Sequence, residues 1–216
     1  MGMTGGIMRG CVAAVTALSV LCAAASWQVP SWNMILSERG AVTEKIDGTW
    51  CGHVQGMCVT SNALFFAYHN QIVKTDWSGR FLARRDVLIH TGDICAWNGR
   101  LYTAVSNSDT GYGKGRIQVF DEDLNLLKET SLPRGSDGIT CLNGVIYIGL
   151  GSGGTTEQPY RGNWYGKYDA ETLEPLCERF RIDHGYDTTS GVQNMASDGT
   201  YIYVNFYCPD ETADTP

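Results

Sequence analysis

Eight polar residues stand at the same point of four related segments, and they are the groups in this chain best suited to chemistry. His53 and Gln55, His90 and Asp93, Ser136 and Asp137, and Gln193 and Asn194 each head a stretch that is otherwise small and apolar. Carboxylate and amide oxygens are what hard divalent ions accept, so Asp93, Asp137, Asn194 and Gln55 form a candidate set for a cation such as Ca. The imidazoles of His53 and His90 suit a transition metal such as Zn, or an acid and base working near neutral pH. Gln55 and Gln193 are also placed to bind a ligand directly. A plainer reading stands beside these: such groups bind ordered water, cap the strands they precede or hydrogen-bond a neighbouring backbone.

These residues must be positioned by a repeat. The segment from His53 to Tyr68 aligns without a gap on His90 to Val105, with His on His, Cys58 on Cys95 and Leu64 on Leu101. Gly135 to Leu150 and Gly191 to Val204 are further copies. Each copy opens with a small, apolar strand: Gln55 to Thr60, Asp93 to Trp97, Gly138 to Leu142. Asn-Gly at 98/99 and 143/144 and Asp-Gly at 198/199 then mark hairpin turns, which need positive φ. A third strand ends on Asp76, Asp121 or Asp169, and a fourth runs over Phe81 to Val87, Leu126 to Leu132 or Leu176 to Ile182. Asp in such a turn accepts a bond from an amide two residues on, so these three are expected to be structural.

Four short antiparallel strands repeating roughly every 40 to 55 residues define an all-β fold, a β-propeller of four-stranded blades. Residues 50–216 supply three complete blades and the first half of a fourth. That implies a partial chain, or one that closes by pairing with another copy, because an open half-propeller exposes blade faces and an unpaired strand edge. In a propeller the first strand of each blade lines the central channel, so the eight polar residues are expected at one mouth. The longer units carry insertions at Asn107 to Gly115 and Gly151 to Asn163, both between second and third strands and so on one face. With Tyr112, Tyr160, Trp164 and Tyr165 they suggest an aromatic rim suited to carbohydrate or peptide. The Gly151 to Gly154 run has no helix behind it, so it does not read as a phosphate cradle.

The remaining signals concern location and partners. Residues 1–25 have the three parts of a secretory signal peptide: Arg9, an apolar run from Cys11 to Ala25, and small residues at Ala23 and Ala25. That run is short of the roughly 20 residues of a spanning helix, so the chain is expected to be secreted or periplasmic, with an uncleaved anchor as the alternative. Cys22 does not read as a lipidation site, because Leu21 stands where that signal wants a small residue. Residues 26–49 form a lead-in with one candidate strand, Ala41 to Ile46. The 26 Gly, 11 Tyr and 6 Trp are the usage of a β-rich protein with many turns. A net charge of -7 offers no counter-charge to nucleic acid or to an anionic membrane. Cys51, Cys58, Cys95, Cys141, Cys177 and Cys208 would remain after cleavage, and export permits disulfides. Cys58, Cys95 and Cys141 fall on first strands, where a buried thiol is the better reading.

The Gly-rich first strand, the Asn-Gly hairpin and the aromatic-Asp turn together resemble the broad group of secreted propellers that includes NHL-type, SMP-30/gluconolactonase-like and YncE-like proteins, over roughly residues 50–208. That resemblance implies two functions. One is a non-enzymatic ligand- or partner-binding module, needing no cofactor. The alternative is a metal-dependent, lactonase-like hydrolase, for which Asp93, Asp137 and Asn194 are the nearest counterparts of the family's carboxylate and amide ligands and His53 or His90 would act as base. The acidic ligand expected early in that family has no evident counterpart here.

Overall fold

A computed structural model describes residues 54–107, 114–150, 164–182 and 191–206. The expected signal peptide and lead-in, His53, Cys51, Cys208, Tyr112, Tyr160 and the Gly151 to Gly154 run lie outside the described residues.

Among the described residues fourteen strands follow one another. β1 (Val54–Val59), β2 (Leu64–Tyr68), β3 (Gln71–Thr75) and β4 (Phe81–Asp86) form the first sheet, paired in that order. β5 (Thr91–Trp97), β6 (Arg100–Asn107), β7 (Lys114–Asp121) and β8 (Leu126–Leu132) form the second. The third contains β9 (Ile139–Leu142), β10 (Val145–Leu150), β11 (Trp164–Asp169) and β12 (Pro175–Arg181), and β13 (Val192–Ser197) pairs with β14 (Ile202–Phe206) alone. All described pairings are antiparallel between successive strands, which is the meander of a propeller blade. The described residues contain no helix, and so none long and apolar enough to cross a membrane.

Local chemistry sets the turns. Asn98 and Gly99 have φ of 49° and 71°, and Asn143 and Gly144 have 52° and 78°, the paired positive values of a type I′ hairpin. The Asp198-Gly199 turn differs: only Gly199 is left-handed, at 89°, and the Asp198 carboxylate accepts from the amides of Thr200 and Tyr201 at 2.8 Å. The third-strand aspartates are structural, as their position suggested. Asp76 Oδ1 accepts from the amides of Ser78 and Arg80 at 2.9 Å, Asp121 from the Asn125 amide at 2.7 Å, and Asp169 from those of Glu171 and Thr172. Each turn then passes a left-handed residue, Gly79, Leu124 or Leu173.

Hydrogen bonding to Ser78 and Arg80 holds the Asp76 carboxyl below its usual range. A depressed carboxylate contributes stability that is present above the unfolded pKa and lost as pH falls through the folded one. Asp76→Ala should therefore destabilise by about 1 kcal/mol at pH 7, the usual net worth of such bonds, and by less near pH 3. Urea denaturation at the two pH values measures the difference.

Blades pack face to face. Phe65 of β2 and Ile72 of β3 lie against Leu101, Phe120 and Leu124 of the second sheet. Tyr102 of β6 and Val119 of β7 lie against Ile146, Tyr168 and Leu173 of the third. Phe65 and Tyr102 have no exposed surface. Each buried side chain of this size contributes roughly 1.5–3 kcal/mol, so the two interfaces account for most of the core. Basic and phenolic groups then tie each blade to the turn of the next. Lys74 Nζ donates to Glu122 O at 2.8 Å, Arg85 to Leu124 O at 2.9 Å, Tyr102 Oη to Ala170 O at 3.2 Å, and Lys128 to Glu171 O.

Candidate functional site

The first strands β1, β5, β9 and β13 converge, and irregular pairing at their heads aims the polar residues. Pairing with the second strand slips between Val54 and Gly56, between Thr91 and Ile94, and between Val192 and Asn194. Such a bulge adds a residue and turns neighbouring side chains away from the pleat. Gln55 and Gln193 are the residues skipped in the first and last of these.

The neighbouring glycines let the strands come together. A Cβ on Gly56 would sit 2.6 Å from Asp93 Cα, and one on Gly92 would sit 2.6 Å from Asp137 O. This closeness brings Asp93 into a shared position. Its backbone amide donates to Asp137 O at 2.6 Å. Its Oδ1 accepts from the Ile94 amide at 2.9 Å, and its Oδ2 accepts from the amides of Met195 at 2.7 Å and Ile139 at 3.4 Å. One buried carboxyl group, 3% exposed, thus joins β5, β9 and β13. Burial pushes its pKa up to about 7, against the pull of these amide bonds and of Asn194.

The other predicted residues divide around it. Asn194 donates through Nδ2 to the Gln55 carbonyl, linking β13 to β1. Asp137 faces His90 instead, with His90 Nδ1 3.3 Å from Asp137 Oδ1. His90 is left-handed at φ 63°, stands edge-on to His69 with ring centroids 4.8 Å apart, and has its pKa raised by Asp137. Ser136 is fully buried, its hydroxyl donating to Gly138 O at 3.4 Å. The structure therefore gathers Gln55, Asp93 and Asn194 and sets Asp137 apart with His90. The expected oxygen set does not fit a cation well, because both Asp93 oxygens accept backbone amides. Among the described residues no three His, Cys, Asp or Glu side chains are placed to hold a metal ion.

A cavity of about 430 Å³ opens where β1 meets β13 and β14. Gln55, Asp93 and Asn194 lie on it, but Met57, Met195 and Tyr203 supply apolar wall that sequence reasoning missed. A signal was present: Met57 and Met195 are the large flexible side chains in strands of otherwise small residues. A second cavity, about 320 Å³, follows the central channel and is lined by all four first strands. Cys58, Cys95 and Cys141 line it as free thiols, each with its pKa pushed up by burial, which keeps them protonated.

Blades arranged around a channel lined by their first strands make this chain a β-propeller. Comparison with solved structures agrees on fold. The WD40 domain of Pan2 from Neurospora crassa is similar with a TM-score of 0.50 and 9% identity over 76% of this chain and 45% of that one. The computationally designed Ika4 protein gives a TM-score of 0.45 at 12% identity, covering 73% of this chain and 95% of its own. Glutaminyl cyclase from Myxococcus xanthus gives 0.46 at 13% identity, covering 70% and 66%. This chain thus spans less than half the length of the Pan2 chain, and likeness at such identities is one of fold alone. No protein-family model and no curated protein matches the chain.

Proposed function

We propose that this is a non-enzymatic binding module, exported by residues 1–25, which accepts an apolar peptide side chain in the cavity between β1 and β13. The cavity volume of about 430 Å³ is in the range of small-ligand sites. Its thioether and phenol walls adapt to varied apolar shapes, and Gln55 and Asn194 supply a few orienting polar groups. The amides of Gln55, Asn194 and Asn205 are set among a mainly apolar lining that includes Val54, Met57, Met195 and Val204, so an apolar peptide side chain is favoured over a carbohydrate. The observation that carries the reading is the state of Asp93. The acid on the cavity has both oxygens bonded to amides of three strands, so it serves as a strut and is poorly placed to be a base or a ligand. His90 is paired with Asp137 and does not line the cavity. Nothing in this arrangement favours the hydrolase.

Peptide and glycan arrays probed with the full chain test this, with metal content measured by mass spectrometry on the same preparation. Peptides carrying a bulky apolar residue should bind, and Tyr203→Ala, at a position 55% exposed and so tolerant of change, should weaken them at least tenfold. Binding confined to glycans would overturn the peptide assignment. One equivalent of divalent metal, lost in Asp137→Ala, would overturn the non-enzymatic reading.

A further inference from the structure

We propose that the outer edge of the fourth sheet is a docking site for one β-hairpin of the blade's own kind, with an aromatic-Asp turn followed by a left-handed Leu. Four observations point to it. First, pairing registers make three positions equivalent across the blades: Phe65 opposite Lys74, Tyr102 opposite Val119, and Tyr147 opposite Lys167. Phe65 and Tyr102 are fully buried, whereas Tyr147 is only half-buried.

Second, the cover that buries the first two comes each time from the third strand and turn of the next blade. Phe120 and Leu124 cover Phe65, and Tyr168 and Leu173 cover Tyr102. In the fourth sheet the described strands are β13 and β14 only, and they cover the third blade through residues such as Val192, Met195 and Ile202.

Third, Lys167 repeats the position of Lys74 without repeating its bond. Lys74 Nζ donates to Glu122 O in the next blade's turn. Lys167 Nζ instead stands 5.3 Å from the centroid of Tyr147 and 4.9 Å from that of Phe180. Fourth, β14 pairs with β13 on one side only among the described residues.

Together these fix the chemistry of the occupant. Main-chain groups would pair along β14, as in strand addition at a sheet edge. An aromatic side chain would cover Tyr147 and Phe180, and carbonyl oxygens of an acidic turn would receive the Lys167 ammonium. This continues the blade-to-blade contact already made twice in the chain. It uses the third blade's face and the far edge of β14; the cavity proposed above shares β14 through Tyr203, but hydrogen exchange along the edge is read with no peptide present, so the two proposals fail separately.

The test appends a second copy of Lys114–Leu132 to the C-terminus through a flexible Gly/Ser linker, which places it at roughly millimolar effective concentration. Hydrogen exchange is read along β14. Exchange of the outward amides of Ile202–Phe206 should slow at least tenfold relative to the unmodified chain. That protection should fall away when the appended copies of Asp121 and Leu124 become Ala and Asp, or when the chain carries Lys167→Glu. Unchanged exchange with the intact hairpin would overturn the proposal, as would protection indifferent to both changes. Protection of β14 in the unmodified chain that grows with protein concentration would assign the edge to a second copy instead, and would also overturn it.

Discussion

Asp93→Ala should cost about 3 kcal/mol of stability at pH 5 and markedly less at pH 8. Removing the carboxyl group leaves the amides of Ile94, Ile139 and Met195 without their acceptor at a buried position beside the cavity. Each buried, unpaired donor costs roughly 1–3 kcal/mol, and relaxation of the strands recovers part of the total. The pH dependence follows from the raised pKa. An acid shifted upward binds its proton more tightly when folded, so its contribution is full below the unfolded pKa and declines as pH rises to the folded one. For Asp93 that window runs from 3.8 to about 7. At roughly 1.4 kcal/mol per unit, the wild-type chain loses about 4 kcal/mol of this contribution across it.

His90 acts in the same direction, because Asp137 raises its pKa and the stability it adds is lost as pH rises through the folded value. Asp76 and Asp121 oppose at the acid end, since their pKa values are lowered and their contribution fades below the unfolded carboxylate value. Stability should therefore peak near pH 4, where the lowered aspartates are already ionised and Asp93 is still protonated, and decline through pH 5 towards pH 8. Asp93→Asn, neutral throughout, should flatten that decline. Urea denaturation at pH 5, 6.5 and 8 is the measurement, and wild-type stability that rises between pH 5 and 8 would refute this account of Asp93.

Gly56→Ala should be at least as damaging, at about 3 kcal/mol, by a route with no charge in it. The added methyl would lie 2.6 Å from Asp93 Cα and 2.9 Å from Ile94 N, and it would also collide with Asp93 Oδ1. These are mostly main-chain atoms of a paired strand, which cannot swing aside as the tip of a side chain can. Overpacking of this kind typically costs 1–3 kcal/mol or more. The unfolded chain loses entropy on the same change, which favours the variant by only about 0.4–1 kcal/mol. Gly99→Ala is the informative comparison. Nothing lies within 4 Å of its Cβ, but its φ is +71°, so the cost there is the left-handed penalty alone, roughly 1–2 kcal/mol. A urea midpoint for Gly56→Ala no lower than that of Gly99→Ala would show that β1 and β5 can separate at little expense.

The candidate site was legible in part, and its residues show why. The heads of the first strands were visible as polar groups in small, apolar stretches, and Gln55, Asp93 and Asn194 do come together. The separation of Asp137 was not visible. His90 and Asp137 are far apart in sequence, and only the stacking of the second blade on the third brings them to 3.3 Å. Tyr203 was one more aromatic of an outer strand until the fold set it on the same cavity as the head of β1.

What the sequence by itself determined is whatever local chemistry governs: strand after strand, the type I′ turns at Asn98 and Asn143, the caps at Asp76, Asp121 and Asp169, and hence the blade as a unit. These depend on neighbours a few residues away and on the period of two in a strand. Tertiary structure alone decided what the polar residues do. Asp93 meets the Met195 amide across 102 residues of chain, and Asn194 meets the Gln55 carbonyl across 139. No local propensity encodes those distances. They follow from how closely glycine-headed strands of different blades approach, which is a property of the packed whole.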